Sequence, residues 1–111
     1  MTITIEKKDL FTMPQGYYLA HCISADFALG AGIAKTFDKV YNMRLKLFKN
    51  YDNYEYHGGD ALPIDNVFNL VTKDKHWHKP TYESLRKSLK MMKEWLNFLN
   101  VTKLAMPWIG C

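Results

Sequence analysis

An apolar run, a glycine-containing loop and a helical pattern follow one another near the start of this sequence, and together they constrain its fold most. The run "YYLAHCIS" predicts a buried strand over residues 17–23, because it is almost entirely apolar. The stretch "ALGAGIAKTF" (28–37) then brings two glycines. From Ile33 to Phe48, apolar side chains recur at steps of three and four, which predicts a helix. A strand, a tight loop and a helix in this order favour an α/β fold.

The rest of the chain continues the alternation of strands and helices. Further strands are predicted at 2–6 ("TITIE"), 66–73 ("NVFNLVTK") and 103–107. The polar, aromatic stretch 50–63 is expected to be a loop. Thr81 is expected to cap a second helix with Glu83 in its first turn, and the buried stripe of that helix would be Leu85, Leu89, Met92, Leu96 and Leu99. The order β, β, α, β, α, β predicts one α/β domain, 1–111, with a parallel or mixed sheet.

Composition and charge narrow the class of protein. A chain of 111 residues can bury one core but not two, and its net charge of +4 favours an anionic partner. Cys22 and Cys111 lie far apart and form no Cys-x-x-Cys pair, so neither a disulfide framework nor a zinc ribbon is predicted. No run approaches the roughly 18 apolar residues that a membrane span requires. We therefore expect a cytoplasmic protein with no membrane partner.

The glycines of the loop, Gly30 and Gly32, suggest a phosphate site. The residues around Lys35 fit neither a P-loop nor a dinucleotide fingerprint, because the required glycines are missing. Glycine nevertheless lets backbone amides approach an oxyanion closely, and the amides that open a helix are unpaired and favour negative charge. Taken alone, the two glycines fit a phosphate site and a plain strand-to-helix turn equally well.

Several other polar residues are candidates for chemistry. Lys73 ends an apolar strand, so its amine could emerge at the ligand-bearing edge of the sheet and act as nucleophile or base; simple exposure to solvent is the alternative. His76 and His78 offer two imidazoles, which do not make a metal site, and we predict a charged connector with no metal. Packing roles are expected for three further residues: His21, Met91 and Met92.

Four stretches taken together carry a family resemblance. They are "KKDLF", "AHCISADFALGAGIA", "LVTK" followed by "HKPTYESLRKSL", and "LAMPWIGC". In this order, and over nearly the whole chain, they resemble the macrodomain family, and most closely its terminal ADP-ribose protein glycohydrolase branch. The resemblance implies a three-layer α/β/α fold with a mixed central sheet. It also implies that ADP-ribose, or an ADP-ribosylated protein, binds in a cleft at the carboxyl edge of that sheet.

The resemblance also assigns binding residues. Asp9 matches the aspartate that accepts from the adenine amino group, and Ser24 matches the start of the first phosphate and distal-ribose loop. The phosphates held by the glycine loop would then be the diphosphate of ADP-ribose. The ADP-ribose contacts implied by the resemblance are Asp9, Leu10, His21, Ser24, Leu29, Gly30, Ala31, Gly32, Ile33, Ala34, Pro107, Ile109, Gly110 and Cys111.

In the glycohydrolase branch, a strand-end lysine attacks the anomeric carbon of the distal ribose and an aspartate serves as acid and base. Lys73 matches that lysine. The matching aspartate would lie beyond Cys111, so we expect a C-terminally incomplete macrodomain that lacks the last helix and strand. Without that strand, the predicted strand at 2–6 becomes a sheet edge, which self-association of two chains could cover.

Three functions compatible with the resemblance stay open. The first is hydrolysis of ADP-ribosyl esters, on protein carboxylates or in O-acetyl-ADP-ribose, with Lys73 as nucleophile. The second is an ADP-ribose reader without turnover, and the third is an ADP-ribose-1″-phosphate (Appr-1-p) phosphatase. None of the three implies a cofactor. Nucleic acid ranks last among partners, because the basic residues are scattered along the chain instead of forming one stripe.

Overall fold

Four strands form one mixed sheet in the computed structural model, which describes residues 9–53 and 55–107. The central strand β1 (Tyr18–Ser24) runs parallel to β3 (Val67–Lys73) on one side. On its other side it runs parallel to β4 (Leu104–Ala105). The strand β2 (Asp60–Ile64) pairs antiparallel with the outer edge of β3. The strand order is therefore β2–β3–β1–β4, and the expected mixed sheet is confirmed.

Helices cover both faces of this sheet. The helices α1 (Gly32–Tyr41) and α2 (Met43–Asn50) pack on one face. The longer helix α3 (Tyr82–Phe98) packs on the other face, where Met92 and Leu96 share one hydrophobic cluster with buried side chains of β1, β2 and β3. Buried apolar surface on both sides of a sheet is what an α/β/α sandwich requires. The three-layer architecture predicted from the sequence is thus confirmed.

Hydrogen bonds from two serines fasten α3 to the sheet. Thr81 caps the helix in a reciprocal capping box with Ser84, as the sequence predicts for the cap. The Ser84 hydroxyl also donates to the Thr72 carbonyl at 2.6 Å, and Ser88 donates to the Val71 carbonyl at 2.7 Å. These bonds place the start of α3 beside the carboxyl end of β3.

The buried stripe predicted for α3 is only partly correct. Met92 and Leu96 are buried, but Leu99 is exposed because it terminates the helix as its C-cap. Met91 is also exposed, so the packing role expected for it is wrong. Ser88, which lies between the predicted apolar positions, is completely buried instead.

The sequence predicts a single helix from Ile33 to Phe48, but the structure has two helices here, so this prediction is wrong. Asn42 adopts a left-handed conformation with φ of 55° and breaks the helical run, and asparagine tolerates this region better than most residues. The Asp38 carboxylate accepts from the Arg44 amide at 2.9 Å, which satisfies one free amide at the start of α2. After the break, the Met43 side chain is buried in the core, while Val40 before it stays exposed.

The stretch 50–63, expected to be a loop, contains all but the last residue of the strand β2. Asp65, with φ of 52°, makes the tight turn that joins β2 to β3. Gly59 precedes β2 with φ of +115°, and a β-carbon there would lie 3.0 Å from the Lys87 side chain. A glycine at this position therefore lets the chain enter the sheet directly beneath α3.

The remaining strand predictions differ by small shifts. β1 begins and ends one residue later than predicted, β3 begins one residue later, and β4 is shorter than the predicted 103–107. The predicted strand at 2–6 lies outside the described residues. Within residues 9–53 and 55–107, no helix combines the length and the apolarity that a bilayer span needs.

Candidate functional site

The carboxyl ends of β1 and β3 bring two predicted site residues together. Ser24 and Lys73 are register partners at the last position of the two strands, just after a register irregularity between Ile23 and Ser24. The Ala25 amide donates to the Lys73 carbonyl at 2.9 Å, which extends the pairing into the next loop. Ligands of open α/β sheets bind at this edge. Lys73 thus lies beside the loop that the sequence assigns to phosphate.

Two buried side chains anchor that loop, residues 25–31. Phe27 and Leu29 have positive φ values, 55° and 44°, a conformation that costs non-glycine residues about 1–3 kcal/mol each. Both side chains are nevertheless buried in the core between the sheet and α1 and α2, and burial of a large apolar side chain contributes about 1.5–3 kcal/mol. The guanidinium of Arg44, a residue of α2, donates to the Phe27 carbonyl at 3.0 Å. These contacts on the core side therefore hold the loop in one conformation.

Beyond these anchors the loop exposes backbone. Gly30, Ala31 and Gly32 are exposed, and Ala31 is the N-cap of α1. An alanine side chain cannot cap, and the first turn of α1 contains no acidic residue. The opening amides of α1 therefore keep their donor capacity and their positive dipole end for an anion.

The space around Gly30 supports a ligand site more than a packing requirement. A β-carbon at this position would meet only the Ala28 carbonyl, at 3.9 Å, among the described residues. Its φ is not in the left-handed region. Since neither the fold nor the backbone conformation requires glycine here, the open side of Gly30 is available to a ligand.

Asp26 is a member of the site that the sequence analysis missed. Its side chain is only 8% exposed, and its Oδ1 accepts from the Ser24 hydroxyl and from the Ala28 amide. Its Oδ2 accepts from both the backbone N–H and the ring Nδ1 of His76, at 3.0 and 2.8 Å. Burial raises the pKa of Asp26, but the hydrogen bonds from Ser24, His76 and Ala28 outweigh it and hold the pKa at about 2. Asp26 is therefore a carboxylate at neutral pH.

A sequence signal for Asp26 exists. Its Oδ1 accepts the amide of the residue two positions on, which is the local turn that Asp side chains favour. The signal predicts a turn but not the second contact, because His76 lies 50 residues away in sequence.

His76, the first histidine of "HWH", contacts a carboxylate of the candidate site. His76 contacts Asp26, while its ring stays 60% exposed. Among the described residues, no group of three or more His, Cys, Asp or Glu side chains could hold a metal ion. His76 is thus joined to the phosphate-loop side of the site by a carboxylate.

Lys73 is connected to the same group. Its Nζ donates to the His76 carbonyl at 3.0 Å, and the side chain is half-buried. The strand-end lysine therefore does not point freely into solvent. Its amine is held against the connector after β3, where His76 also contacts Asp26 of the 25–31 loop.

His21 is a core residue, and the expectation that it contacts the ligand is wrong. It has no exposed surface, and its ring stacks on Phe37 at a centroid distance of 3.9 Å. Its Nε2 lies 2.6 Å from the Asn69 Oδ1, whose amide nitrogen donates to the Leu62 carbonyl. We therefore assign the hydrogen to Nε2. Nδ1 is buried with no partner among the described residues. Burial lowers the pKa of His21 to about 4, against a smaller rise from the Asn69 hydrogen bond, so this ring is neutral.

The segment that is predicted to contact adenine begins with a short helix packed on α1. Asp9 caps a short 3-10 helix, Leu10–Thr12, and its carboxylate accepts from the Phe11 amide at 3.0 Å. The Phe11 ring packs on Phe37 of α1 at 4.7 Å. The short helix that Asp9 caps and the phosphate loop thus border α1, at its side and at its start.

A cavity of about 400 Å³ does not coincide with this edge. It is lined by Leu10 and Phe11 together with Tyr18, Leu19 and Asn66, at the amino ends of β1 and β3. The length of β1 places it roughly 20 Å from Ser24. Leu10, predicted as a ligand contact, faces this cavity. Of the other predicted contacts, Pro107 is half-buried beyond β4, and Ile109, Gly110 and Cys111 lie outside the described residues.

Comparison with known proteins identifies close relatives. The ADP-ribose glycohydrolases OARD1 of Bos taurus and of Homo sapiens are each 42% identical to this chain over 113 residues. Each alignment covers 98% of this chain and 72% of the relative. No protein-family model matches the chain.

Solved structures agree with the fold. The macrodomain of Mycobacterium tuberculosis DarG superposes with a TM-score of 0.87 at 21% identity, over 98% of this chain and 77% of its own. The Thermus aquaticus DarG macrodomain gives 0.78 at 20% identity, over 90% and 72%. Thermosipho africanus DarTG in complex with ADP-ribose gives 0.76 at 14% identity, over 93% of this chain and 32% of that one. With the relatives at 42% identity, the chain belongs to the macrodomain family, in the terminal ADP-ribose glycohydrolase branch.

Proposed function

We propose that this chain binds ADP-ribose along the 25–34 segment and hydrolyses ADP-ribosyl esters with Lys73 as nucleophile. The observation that carries the proposal is the pairing of Ser24 with Lys73 at the ends of β1 and β3. The pairing puts Lys73 at a strand end next to the loop that follows Ser24, and the amides at the far end of that loop suit a diphosphate. The relatives named ADP-ribose glycohydrolase support the same class of reaction.

Binding of the diphosphate rests on backbone donors. The exposed amides of residues 30–32 open α1, and the positive end of the helix dipole adds to their attraction for an anion. The buried anchors Phe27 and Leu29 fix these donors before the ligand arrives. A site that is already ordered loses less entropy on binding. The distal ribose would then extend from this loop towards Lys73.

The chemistry assigned to Lys73 is nucleophilic displacement. After the Lys73 ammonium loses a proton to water, the lone pair of the amine forms an N–C1″ bond while the C1″–O bond of the ester breaks, and that electron pair leaves with the carboxylate. Water then hydrolyses the ribosyl-lysine adduct, through its open-chain Schiff base, and releases ADP-ribose and the free amine. The balance is ester plus water giving ADP-ribose plus carboxylic acid. No cofactor is consumed.

Replacement of Lys73 by alanine tests the proposal. We expect Lys73→Ala to bind ADP-ribose within a few-fold of the unaltered chain by calorimetry. Its turnover of an ADP-ribosylated glutamate peptide should fall by about 10³-fold or more, as for loss of a nucleophile. Lys75→Ala is the matched control, because Lys75 lies on the same connector and its amine lies over the Trp77 ring, 5.3 Å from the centroid. Equal turnover by Lys73→Ala and the unaltered chain would remove the nucleophile role.

The same assays separate the finer alternatives. Turnover of O-acetyl-ADP-ribose and of ADP-ribose-1″-phosphate, measured beside the peptide ester, identifies the linkage that the site accepts. Tight ADP-ribose binding with no product from any of the three substrates would favour a reader.

We also propose a cytoplasmic location and self-association at the β4 side of the sheet, where β4 and β1 share only two register pairs. Light scattering of the purified chain tests the second of these.

A further inference from the structure

A series of hydrogen bonds connects Ser24 to Lys73 through Asp26 and His76. The Ser24 hydroxyl donates to Asp26 Oδ1, and Asp26 Oδ2 accepts twice from His76. The His76 carbonyl accepts from Lys73 Nζ at 3.0 Å. Asp26 belongs to the loop after β1, whereas His76 belongs to the connector after β3. The position of the Lys73 amine therefore depends on a carboxylate from another part of the chain.

Asp26 has the properties of a fixed support. Its side chain is 8% exposed and accepts from four donors, two of them backbone amides. Exposed ion pairs contribute little, about 0–1 kcal/mol, because solvent and side-chain entropy compete with them. A nearly buried carboxylate with its oxygens paired leaves its partners few alternative arrangements. Its two bonds to His76 thus fix both the backbone and the ring of that residue.

The ring of His76 has its orientation from Asp26 and not from burial. Because an ionised carboxylate can only accept, the ring nitrogen facing it, Nδ1, carries the hydrogen. The ring is 60% exposed. The neighbouring charges on its own connector have other partners: Asp74 pairs with His57 at 3.3 Å, and Lys75 lies over the Trp77 ring.

We propose that Asp26 is a positioning residue for Lys73, acting through His76. The inference rests on the proposed function, in which the Lys73 amine attacks the anomeric carbon. Attack requires the reacting atoms about 3–3.5 Å apart and aligned, and a misplacement of about 1 Å can cost 10²-fold in rate. A lysine side chain on its own has about 2 kcal/mol of rotamer entropy to lose. The bond to the His76 carbonyl reduces that freedom before substrate binds.

Variants at His76 distinguish positioning from proton transfer by the ring. His76→Asn keeps an N–H near the place of Nδ1–H, so it can still donate to Asp26, but it has no counterpart of Nε2. Positioning predicts that His76→Ala lowers kcat about tenfold and that His76→Asn restores it to within about threefold. Proton transfer through Nε2 predicts equal damage in both variants, and that result would overturn the proposal.

The variant with the largest expected effect is Asp26→Asn, because the new amide N–H group faces groups that themselves donate to Asp26. We expect kcat to fall about 10- to 100-fold, the range for a displaced reacting group, while the Kd for ADP-ribose stays within about threefold. His57→Ala is the matched control, since His57 and Asp74 form another His–Asp pair in the same region, in which both side chains are exposed. Unchanged kcat in Asp26→Asn would also overturn the proposal.

A second readout does not require turnover. In nitrogen-15 spectra at low temperature, a held lysine ammonium exchanges slowly and gives its own Nζ signal. We expect a Lys73 signal in the unaltered chain that is lost in Asp26→Asn, weakened in His76→Ala and recovered in His76→Asn. If the signal behaves so but no ester is hydrolysed, the positioning holds and the proposed function fails. If Asp26→Asn leaves the signal unchanged, the positioning is wrong whatever the turnover. His76→Ala keeps this test open if Asp26→Asn does not fold, because His76 is exposed.

Discussion

The first turns of α1 and α3 are built in opposite ways. The start of α3 is closed by its own side chains: Thr81 and Ser84 form a capping box, and Glu83 places a negative charge in the first turn. The start of α1 has Ala31 as N-cap and no acidic residue in its first turn. The Ala31 and Thr81 backbones are both extended, so the difference lies in the side chains.

This contrast indicates which helix binds an anion. A capped helix end has already satisfied its opening amides, whereas an uncapped one is less stable by about 1 kcal/mol and retains donors for a ligand. The chain could have placed a serine or aspartate at position 31 as easily as it placed a threonine at position 81. The open end of α1 follows the 25–31 loop, and the closed end of α3 is attached to β3 by the Ser84 hydroxyl. The stability lost at α1 is thus located at the site.

The largest expected effect concerns the core beneath α1. His21 stacks on Phe37 of α1 and has a pKa of about 4, below its ordinary value of 6.5. Between these two values the unfolded chain binds more protons than the folded chain, so stability must fall as pH drops from 6.5 towards 4. The loss should reach about 3 kcal/mol near pH 4. Urea unfolding at a series of pH values measures it.

The control for this prediction is the slope with pH. His21→Phe removes the titrating group and should flatten the curve between pH 6.5 and 4, even though it leaves Asn69 without its partner and lowers overall stability. Asp26 adds little to this slope, because its pKa of about 2, against an ordinary value of 3.8, means that most of its contribution to stability is lost below pH 4. A flat curve in the unaltered chain would show that His21 is not a neutral buried ring.

Adding a side-chain cap to the start of α1, as α3 already has, tests the comparison directly. Ala31→Asp should raise the free energy of unfolding by about 1 kcal/mol, because a carboxylate caps the free amides and complements the dipole. The same change should lower ADP-ribose affinity about 30- to 100-fold, since the new side chain occupies the donors and repels the diphosphate. Ala31→Ser separates the two causes, because it caps without charge and should lose less affinity. Calorimetry and urea unfolding on the same samples measure both quantities, and an affinity unchanged in Ala31→Asp would contradict the anion site.

A smaller effect is expected from Gly30→Ala. A β-carbon there would lie 3.9 Å from the Ala28 carbonyl, an ordinary contact, so stability should change by less than about 0.5 kcal/mol. We expect ADP-ribose affinity to fall about tenfold because the added methyl group faces the ligand. Gly32→Ala differs in kind, because its φ of +59° should make the change destabilising by about 1 kcal/mol. If Gly30→Ala binds as tightly as the unaltered chain, the ligand does not approach this part of the loop.

The sequence predicted those features that depend on local pattern. Apolar patterning predicts the strand before Ser24 and the strand that ends at Lys73, and capping chemistry predicts the cap at Thr81. The structure confirms all three. The break at Asn42 was missed because the spacing of apolar residues continues across it. β2 was missed because "DALPI" is short and contains a proline, which is tolerated since the strand pairs on one side in the described sheet.

The site was less predictable because its contacts are not local. Lys73, Ser24 and the glycine loop were predicted from strand ends and from a family resemblance, and the structure pairs Ser24 with Lys73. Asp26 was not found, because its partner His76 comes 50 residues later and nothing in either local sequence indicates the pairing. His21 was assigned both to the core and to the ligand. Only burial, which depends on the helices packed over β1, decides between the two.

The smallest expected effect completes the comparison from the α3 side. Thr81→Ala removes the side-chain acceptor for the Ser84 amide and should destabilise the chain by about 1 kcal/mol. Because Ser84 still donates to the Thr72 carbonyl, the helix should stay attached to β3. ADP-ribose affinity should therefore be unchanged, in contrast to Ala31→Asp, where stability rises while affinity falls. Opposite signs at the two helix starts would show that the cap at α3 serves stability and that the missing cap at α1 serves binding. Weaker binding by Thr81→Ala at a temperature where the chain is fully folded would instead mean that both helix starts belong to one site.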